Sequence, residues 1–321
     1  MISPPTMVVV GTLFCLLSAV GFGAMALFGK LAFGAGVSVD TLLLVRFGLA
    51  GAVLLTIALA GGAMRHLSRR TVVVGLGMGA IGYAVQAGLY FTALTRIDAS
   101  LVALILYVYP VLVTAGAIAL GRERRSSRKG WALGIALTGI GLVLTGAATG
   151  QFDAVGALLA AGAAVTYAGY ILVGDRTAAD VPPLALSALV CTGAFATFLV
   201  TGAFTGSIDL GFAPAGWGWL VAVAIISTVG GILLFFAGLA RVGPTSAAIL
   251  SILEPVVTVV SVALVFGEGF TPQQVVGAAL VLGAVAIAQV RVGSGARTRW
   301  SRPGRPHDAH LADCRACPKA T

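Results

Sequence analysis

The feature that most constrains this chain is a succession of apolar segments, each about twenty residues long, along nearly its whole length. A helix that rises 1.5 Å per residue crosses the hydrocarbon core of a bilayer in about 20 residues. Backbone polar groups in lipid must be paired within a helix or a closed barrel, and runs without polar alternation favour helices. We predict ten transmembrane helices, at approximately 8–28, 41–60, 72–94, 100–120, 131–149, 154–173, 184–204, 216–239, 247–266 and 275–290.

The composition excludes a water-soluble domain. Of the 321 residues, 59% are hydrophobic and only 10% are charged, whereas soluble domains carry about 25% charged residues. The chain is therefore predicted to be an all-α polytopic membrane protein.

The basic residues predict the orientation of the chain. The net charge is +9, and seventeen of the twenty basic residues fall in the termini and loops on one side of the predicted membrane. Two lie on the opposite side, and Arg46 lies within a helix. Short basic loops remain in the cytoplasm, so both termini are predicted to be cytoplasmic, in a bacterial inner membrane. The charge is explained by topology and anionic lipid, and no nucleic-acid partner is expected.

An internal repeat divides the chain. Residues 94–123 align with residues 239–268 at a constant offset of 145, which pairs Leu94 with Leu239, Arg96 with Arg241, Pro110 with Pro255 and Glu123 with Glu268. We predict a first repeat at 1–149, a second at 150–290, and a disordered basic cytoplasmic tail at 291–321. An odd number of helices in each repeat inverts the second half, an arrangement found in many secondary transporters.

The segment LSILEPVVTVV, residues 250–260, contains the one carboxylate well inside a predicted helix, Glu254. An ionisable group at that depth indicates a functional site. Ser251 and Thr258 share its helix face, so the three are predicted to line a polar lumen where Glu254 binds a proton or a substrate ammonium. The alternative is a structural glutamate that bonds a neighbouring helix.

Pro255 and its repeat partner Pro110 are predicted hinges. Each proline leaves the carbonyl four residues earlier without its helical donor and should kink its helix. Prolines are also ordinary in membrane helices, which is the alternative. Tyr109 stands where a strict repeat would place a second glutamate, so the two halves differ at this position.

Two further sets of residues are candidate cavity lining, and Arg46 is a further candidate contact. Tyr83, Gln86 and Tyr90 share one face of the third helix, and Tyr167 and Tyr170 share one face of the sixth. Aromatic rings with polar tips suit a cavity for organic solutes; packing or interfacial anchoring is the alternative. Arg46 could contact an anionic substrate group, pair with Asp40, or extend its side chain to the membrane surface.

Several classes of function lack their motifs. The sequence contains no GxxxxGK[ST] phosphate loop, no HExxH and no TVGYG filter, and all three histidines lie outside the predicted helices. His307, His310, Cys314 and Cys317 do not have a familiar zinc spacing. We expect neither an enzyme nor a bound metal or cofactor.

The segment SAAILSILEPVVTVVSVALVFGE, with the following TPQQVVGAALVLGAVAI, resembles the ninth and tenth helices of the drug/metabolite transporter superfamily, EamA type. Pro110, Glu123 and Arg46, the last within LLLVRFGLAGAVLL, resemble the first repeat of that family. The resemblance covers about residues 8–290. It implies ten helices in two inverted repeats and export of small metabolites such as amino acids.

The sequence thus favours a secondary transporter that works by alternating access, with a small-molecule substrate, the lipid bilayer and protons as partners. A non-transporting membrane receptor or scaffold and an uncoupled uniporter are the alternatives. The oligomeric state stays open, a homodimer included.

Overall fold

The structure is a computed structural model that describes residues 4–121, 127, 130–131, 134–135, 137–139, 141–142, 153–178, 181–242, 250–251, 253–267 and 271–289. All regular secondary structure within these residues is helical. The predicted fifth helix, 131–149, falls largely outside them, and so does the whole of the predicted tail, 291–321.

The first half contains α1 (Pro4–Gly34), α2 (Val39–Ala60), α3 (Arg69–Gly77), the π-helix π1 (Met78–Tyr83), α4 (Ala84–Leu94), α5 (Ala99–Leu106) and α6 (Tyr109–Ala119). The second half contains α7 (Ala154–Ala178), α8 (Pro183–Thr205), α9 (Ala215–Ala222), the π-helix π2 (Val223–Gly230), α10 (Gly231–Val242), α11 (Leu253–Phe266) and α12 (Pro272–Gln289).

Within the part of the chain that the structure describes, six helical stretches are long and apolar enough to cross a membrane. They are Val9–Gly34, Val39–Ala60, Arg69–Leu94, Ala154–Gly174, Pro183–Thr205 and Ala215–Leu239. They correspond to the predicted first, second, third, sixth, seventh and eighth helices. Two shorter apolar helices, Leu101–Gly116 and Val275–Ala284, fall where the fourth and tenth were predicted.

Two of these membrane helices are interrupted by π-helical turns that the sequence analysis did not anticipate. The segment π1 lies between α3 and α4, and π2 lies between α9 and α10. Their first residues, Met78 and Val223, are separated by the repeat offset. Because π turns bond i to i+5 and often mark functional sites, their paired positions direct attention to the side chains around them.

The fourth predicted helix is broken rather than kinked. α5 ends at Leu106, residues 107–108 form a turn, and α6 begins at Tyr109. Pro110 therefore lies in the first turn of a new helix, where its missing N–H leaves no bond unmade. Pro255 likewise lies in the first turn of α11. Both prolines therefore lie in the first turn of a helix and not in its interior.

The packing of one half matches that of the other. Helix α1 contacts α10 and α11, while its repeat equivalent, α7, contacts α4 and α6. The segment π1 packs on α8, and π2 packs on α2; α2 and α8 also pack on each other. Equivalent elements thus make equivalent contacts, and each half supplies the partner for the other.

Glycines allow the closest of these contacts. A Cβ on Gly79 of π1 would collide with the carbonyl oxygen of Val190, and one on Gly193 would lie 2.9 Å from the backbone nitrogen of Ala80. Small residues let membrane helices approach closely. The hydroxyl of Thr197 donates a hydrogen bond of 2.8 Å to the carbonyl of Ala80 across this interface, which joins a side chain of α8 to the backbone of π1.

Candidate functional site

A small cavity of about 20 Å³ lies inside the bundle and draws its walls from both halves. The lining combines apolar side chains with one arginine, one carboxylate and several polar or aromatic side chains of π1, α4 and α7. The lining residues are Phe22, Met25, Arg46, Tyr83, Gln86, Ala87, Tyr90, Leu106, Tyr167 and Glu254. A cavity of this size holds one water molecule. The cavity is therefore too small for any metabolite.

Arg46 is fully buried at this cavity, with 1% of its surface exposed. Its Nε donates to Thr228 Oγ1 at 2.7 Å, and its Nη2 donates to the Tyr83 hydroxyl at 3.2 Å. Its guanidinium also lies over the rings of Phe47 and Phe91, at 4.7 and 5.3 Å. The two alternatives of pairing with Asp40 and of reaching the membrane surface were wrong, because the polar partners lie inward.

The two hydrogen-bond partners of Arg46 are repeat equivalents. Tyr83 is the last residue of π1, Thr228 lies in π2, and the repeat offset relates them. One guanidinium thus bridges the two π segments. Thr228 was missed by the sequence analysis, because a threonine within an apolar run gives no signal without knowledge of the π turn.

Five of the six tyrosines form a continuous row beside the cavity. Ring centroids lie 5.5 Å apart between Tyr107 and Tyr109, 4.6 Å between Tyr109 and Tyr167, 6.1 Å between Tyr167 and Tyr170, and 5.3 Å between Tyr170 and Tyr83. The row ends at Arg46 through the Tyr83 hydroxyl. Tyr109 and Tyr170 do not line the cavity themselves; they support the residues that do.

Tyr107 connects the turn between α5 and α6 to Ser251, the turn residue that precedes α11. Its hydroxyl donates to the carbonyl of Ser251, the group four residues before Pro255 that was predicted to lose its helical donor. Tyr109 lies within hydrogen-bonding reach of the Ser251 side chain. Tyr107 was missed because residues 107 and 109 point to different faces of an unbroken helix, and the turn at 107–108 brings both towards α11.

The α11 candidates divide between the cavity and the helix contacts. Glu254 is half-buried and lines the cavity, and its carboxylate makes no hydrogen bond or ion pair with any residue that the structure describes. Thr258 is buried and donates to the carbonyl of Gly23 on α1 at 2.9 Å. Thr258 therefore holds α11 against α1 and is not among the described residues that line the cavity. Ser251 is buried in the turn before α11.

An ion pair joins the halves at one end of the bundle. Arg96 Nη1 lies 3.0 Å from Asp153 Oδ2, between the segment after α4 and the start of α7. The hydrogen bond from Arg96 is the main reason that the pKa of the Asp153 carboxyl lies below its usual value. Lys30 Nζ lies 4.0 Å from Asp98 Oδ1.

Apolar helices that could span a bilayer, closed around a small cavity with ionisable and aromatic walls, define a multi-pass membrane transporter. The chain belongs to the EamA-like transporter family, which matches residues 9–145 and again residues 154–289. This membership confirms the resemblance and the expectation of a transporter rather than an enzyme.

Relatives in Bacillus subtilis (strain 168) agree with this assignment. The chain is 27% identical over 209 residues to the uncharacterized transporter YwfM, covering 64% of this chain and 69% of that protein. It is 25% identical over 283 residues to the uncharacterized transporter YcbK, covering 83% and 88%. A crystal structure of a protein with 21% identity shares the fold, with a TM-score of 0.64 over 87% of this chain and 96% of that one.

Proposed function

We propose that the protein is a secondary transporter that exports a small zwitterionic metabolite, an amino acid or a close relative, by alternating access. In this proposal the chain has ten membrane helices in two inverted five-helix repeats, 1–149 and 150–290. The observation that carries it is that a buried arginine of one half and a carboxylate of the other, Arg46 and Glu254, face the same cavity.

Opposite charges on opposite walls suit a substrate with both charges. The Arg46 guanidinium can bind a carboxylate in a forked geometry, while Glu254 binds the substrate ammonium or, between transport steps, a proton. Gln86, Tyr90 and Tyr167 supply polar and aromatic surface around the body of the substrate. Ionisable groups are expensive to bury in a membrane, which supports a functional reason for both.

The size of the cavity supports a mechanism with moving halves. A volume of about 20 Å³ admits no amino acid, so the substrate must enter after the walls separate. The matched packing of the two halves gives each of two arrangements an equivalent set of contacts. The breaks before Pro110 and Pro255 place candidate hinges beside the tyrosine row.

The predicted orientation completes the proposal: a bacterial inner membrane with both termini in the cytoplasm. The excess of basic residues on one side supports it, and the relatives named above are bacterial. Export would then be driven by protons that enter as the substrate leaves.

The test is solute flux in vesicles containing the purified full chain and radiolabelled amino acids, with and without a pH gradient. We expect the gradient to drive flux. Glu254→Gln should reduce the gradient-driven flux by at least about tenfold, which is about 1.4 kcal/mol on the barrier, and should leave exchange independent of pH. Asp209→Asn, in the segment after α8, is the matched control and should behave as wild type.

Each alternative predicts a different result. Flux that ignores the pH gradient would identify a uniporter, and the absence of flux for every metabolite tried would favour a receptor or scaffold. Normal gradient-driven flux in Glu254→Gln would remove this carboxylate from the mechanism.

A further inference from the structure

The outer surface of the bundle has an apolar groove. One wall is formed by π1 and the end of α3, and the other wall is formed by α7. The volume of the groove is about 450 Å³, within the range of ligand sites. The walls include Val74, Ile81 and Val173, the floor is formed partly by glycines, and none of the lining residues that the structure describes is charged.

Glycines keep the groove open. A Cβ built on Gly77 or on Gly169 would meet nothing within 4 Å, so the space above these residues is empty of protein. Gly82 has a different role, because a Cβ there would lie 3.3 Å from Cδ2 of Tyr170. The absence of a side chain at Gly82 lets the Tyr170 ring lie directly on π1, where it forms the inner wall.

The groove lies at the depth of the hydrocarbon core. Its residues belong to the membrane-crossing stretches Arg69–Leu94 and Ala154–Gly174. At 1.5 Å per residue, Val74 and Val85 lie about 8 Å and about 24 Å along a helix of about 39 Å. Ile81 is 71% exposed and Val173 is 50% exposed. The medium around these aliphatic side chains is therefore the acyl region of the bilayer.

We propose that this groove is a binding site for one acyl chain of a bilayer lipid. An uncharged lining at this depth recognises a hydrocarbon chain and has no means of selecting a headgroup. The bound chain lies against the outer face of Tyr170, whose ring is 5.3 Å from Tyr83 and 6.1 Å from Tyr167, both of which line the central cavity. The site does not depend on the identity of the transported solute.

The experiment uses the full chain in vesicles of phosphatidylcholine in which a fraction of the lipid carries a photoreactive diazirine on one acyl chain. After irradiation, peptide mapping should find the label concentrated in residues 74–85 and 166–173. Gly169→Leu places a side chain into the open space and should reduce this labelling by about tenfold. Gly77→Leu fills the groove from the opposite wall and should act in the same way, so the result does not depend on one variant folding well.

The matched control is Gly218→Leu on α9, where a Cβ also meets nothing within 4 Å; its labelling of the groove should equal that of wild type. Phosphatidylglycerol with the same photoreactive chain should label the groove to the same extent. Three results would each overturn the proposal. The label could be spread evenly over all exposed helices, it could be unchanged by both filling substitutions, or it could prefer one headgroup by about tenfold.

Discussion

Arg46 makes the hydrogen bonds that connect the two π segments at the centre of the molecule. It is buried among aromatic rings and has two hydroxyl partners, one from each π segment. A lysine could not replace it, because an ammonium on a flexible stem lacks the rigid fork that reaches both partners at once. The bonds hold the guanidinium at the cavity and also hold π1 and π2 together.

We predict that Thr228→Val destabilises the protein by about 1.5–3 kcal/mol, the range for a hydrogen bond to a charged group. Valine keeps the shape of threonine but cannot accept from Arg46 Nε or donate to the Val223 carbonyl, which Thr228 Oγ1 contacts at 2.8 Å. The measurement is denaturant or thermal unfolding of the purified protein in detergent.

The control for this prediction is Thr166→Val on α7, whose hydroxyl bonds only carbonyls of its own helix, such as that of Gly162 at 2.9 Å. The control should change stability by a few tenths of a kcal/mol, as is usual away from buried networks. Equal losses for the two variants would mean that the contact with Arg46 contributes nothing beyond an ordinary threonine.

Helical periodicity predicted the part of the site that lies on regular helix. Gln86 and Tyr90 of α4 face the same way as Tyr83 at the end of π1, and all three line the cavity with Glu254 and Arg46. Periodicity failed at Tyr107 and Thr228, which lie where the helix changes form. A break or a π turn changes the direction of every later side chain, and hydropathy alone does not report either one.

Helical periodicity and hydropathy also could not predict the full role of the two prolines. The repeat offset identified Pro110 and Pro255 as a pair, but a proline four residues after a carbonyl predicts only the loss of one bond. The structure instead places each proline in the first turn of a helix, and the Tyr107 hydroxyl donates a hydrogen bond to the Ser251 carbonyl. Long apolar runs predicted the described membrane-crossing helices well because length and composition decide that property.

We predict that Pro110→Ala slows transport by about tenfold, equal to about 1.4 kcal/mol on the barrier, without lowering the stability of the protein. Alanine restores a backbone donor and favours continuation of the helix through residues 107–108, which stiffens a proposed hinge. Flux in vesicles and unfolding in detergent measure the two effects separately.

Pro255→Ala is the symmetric variant and should have the same effect on flux, because it restores the donor at the other break. Pro214→Ala, at the N-cap of α9 and away from both breaks, is the control and should leave flux unchanged. A loss of stability together with flux would assign Pro110 a structural role instead of a hinge.

The whole molecule is symmetric in its helix packing but not in the contacts at its ends. The Arg96–Asp153 pair ties the first half to the second. Its repeat equivalent would join Arg241 to position 8, where the sequence has a valine. Arg241 instead donates to the carbonyl of Ala237 and lies over the ring of Phe14 at 5.1 Å. An ion pair at only one of the two equivalent positions can favour one of the two proposed arrangements of the halves.

We predict that charge reversal at either member, Arg96→Asp or Asp153→Arg, opens this end of the bundle and that the double exchange closes it again. Exposed ion pairs stabilise a structure only weakly, so the shift in population should be small and overall stability should hardly change. Spin labels at Thr95 and Val155, with Cys314 and Cys317 replaced by serine, would report the separation.

The ion pair between Arg96 and Asp153 also predicts a pH dependence. Because Arg96 lowers the pKa of Asp153 in the closed form, the ion pair is fully formed above the ordinary carboxyl pKa and is lost as the pH falls through the lowered value. If the Asp153→Asn variant still opens on acidification, the pH response belongs to another group. If the double exchange stays open, the pair does not hold the two halves together.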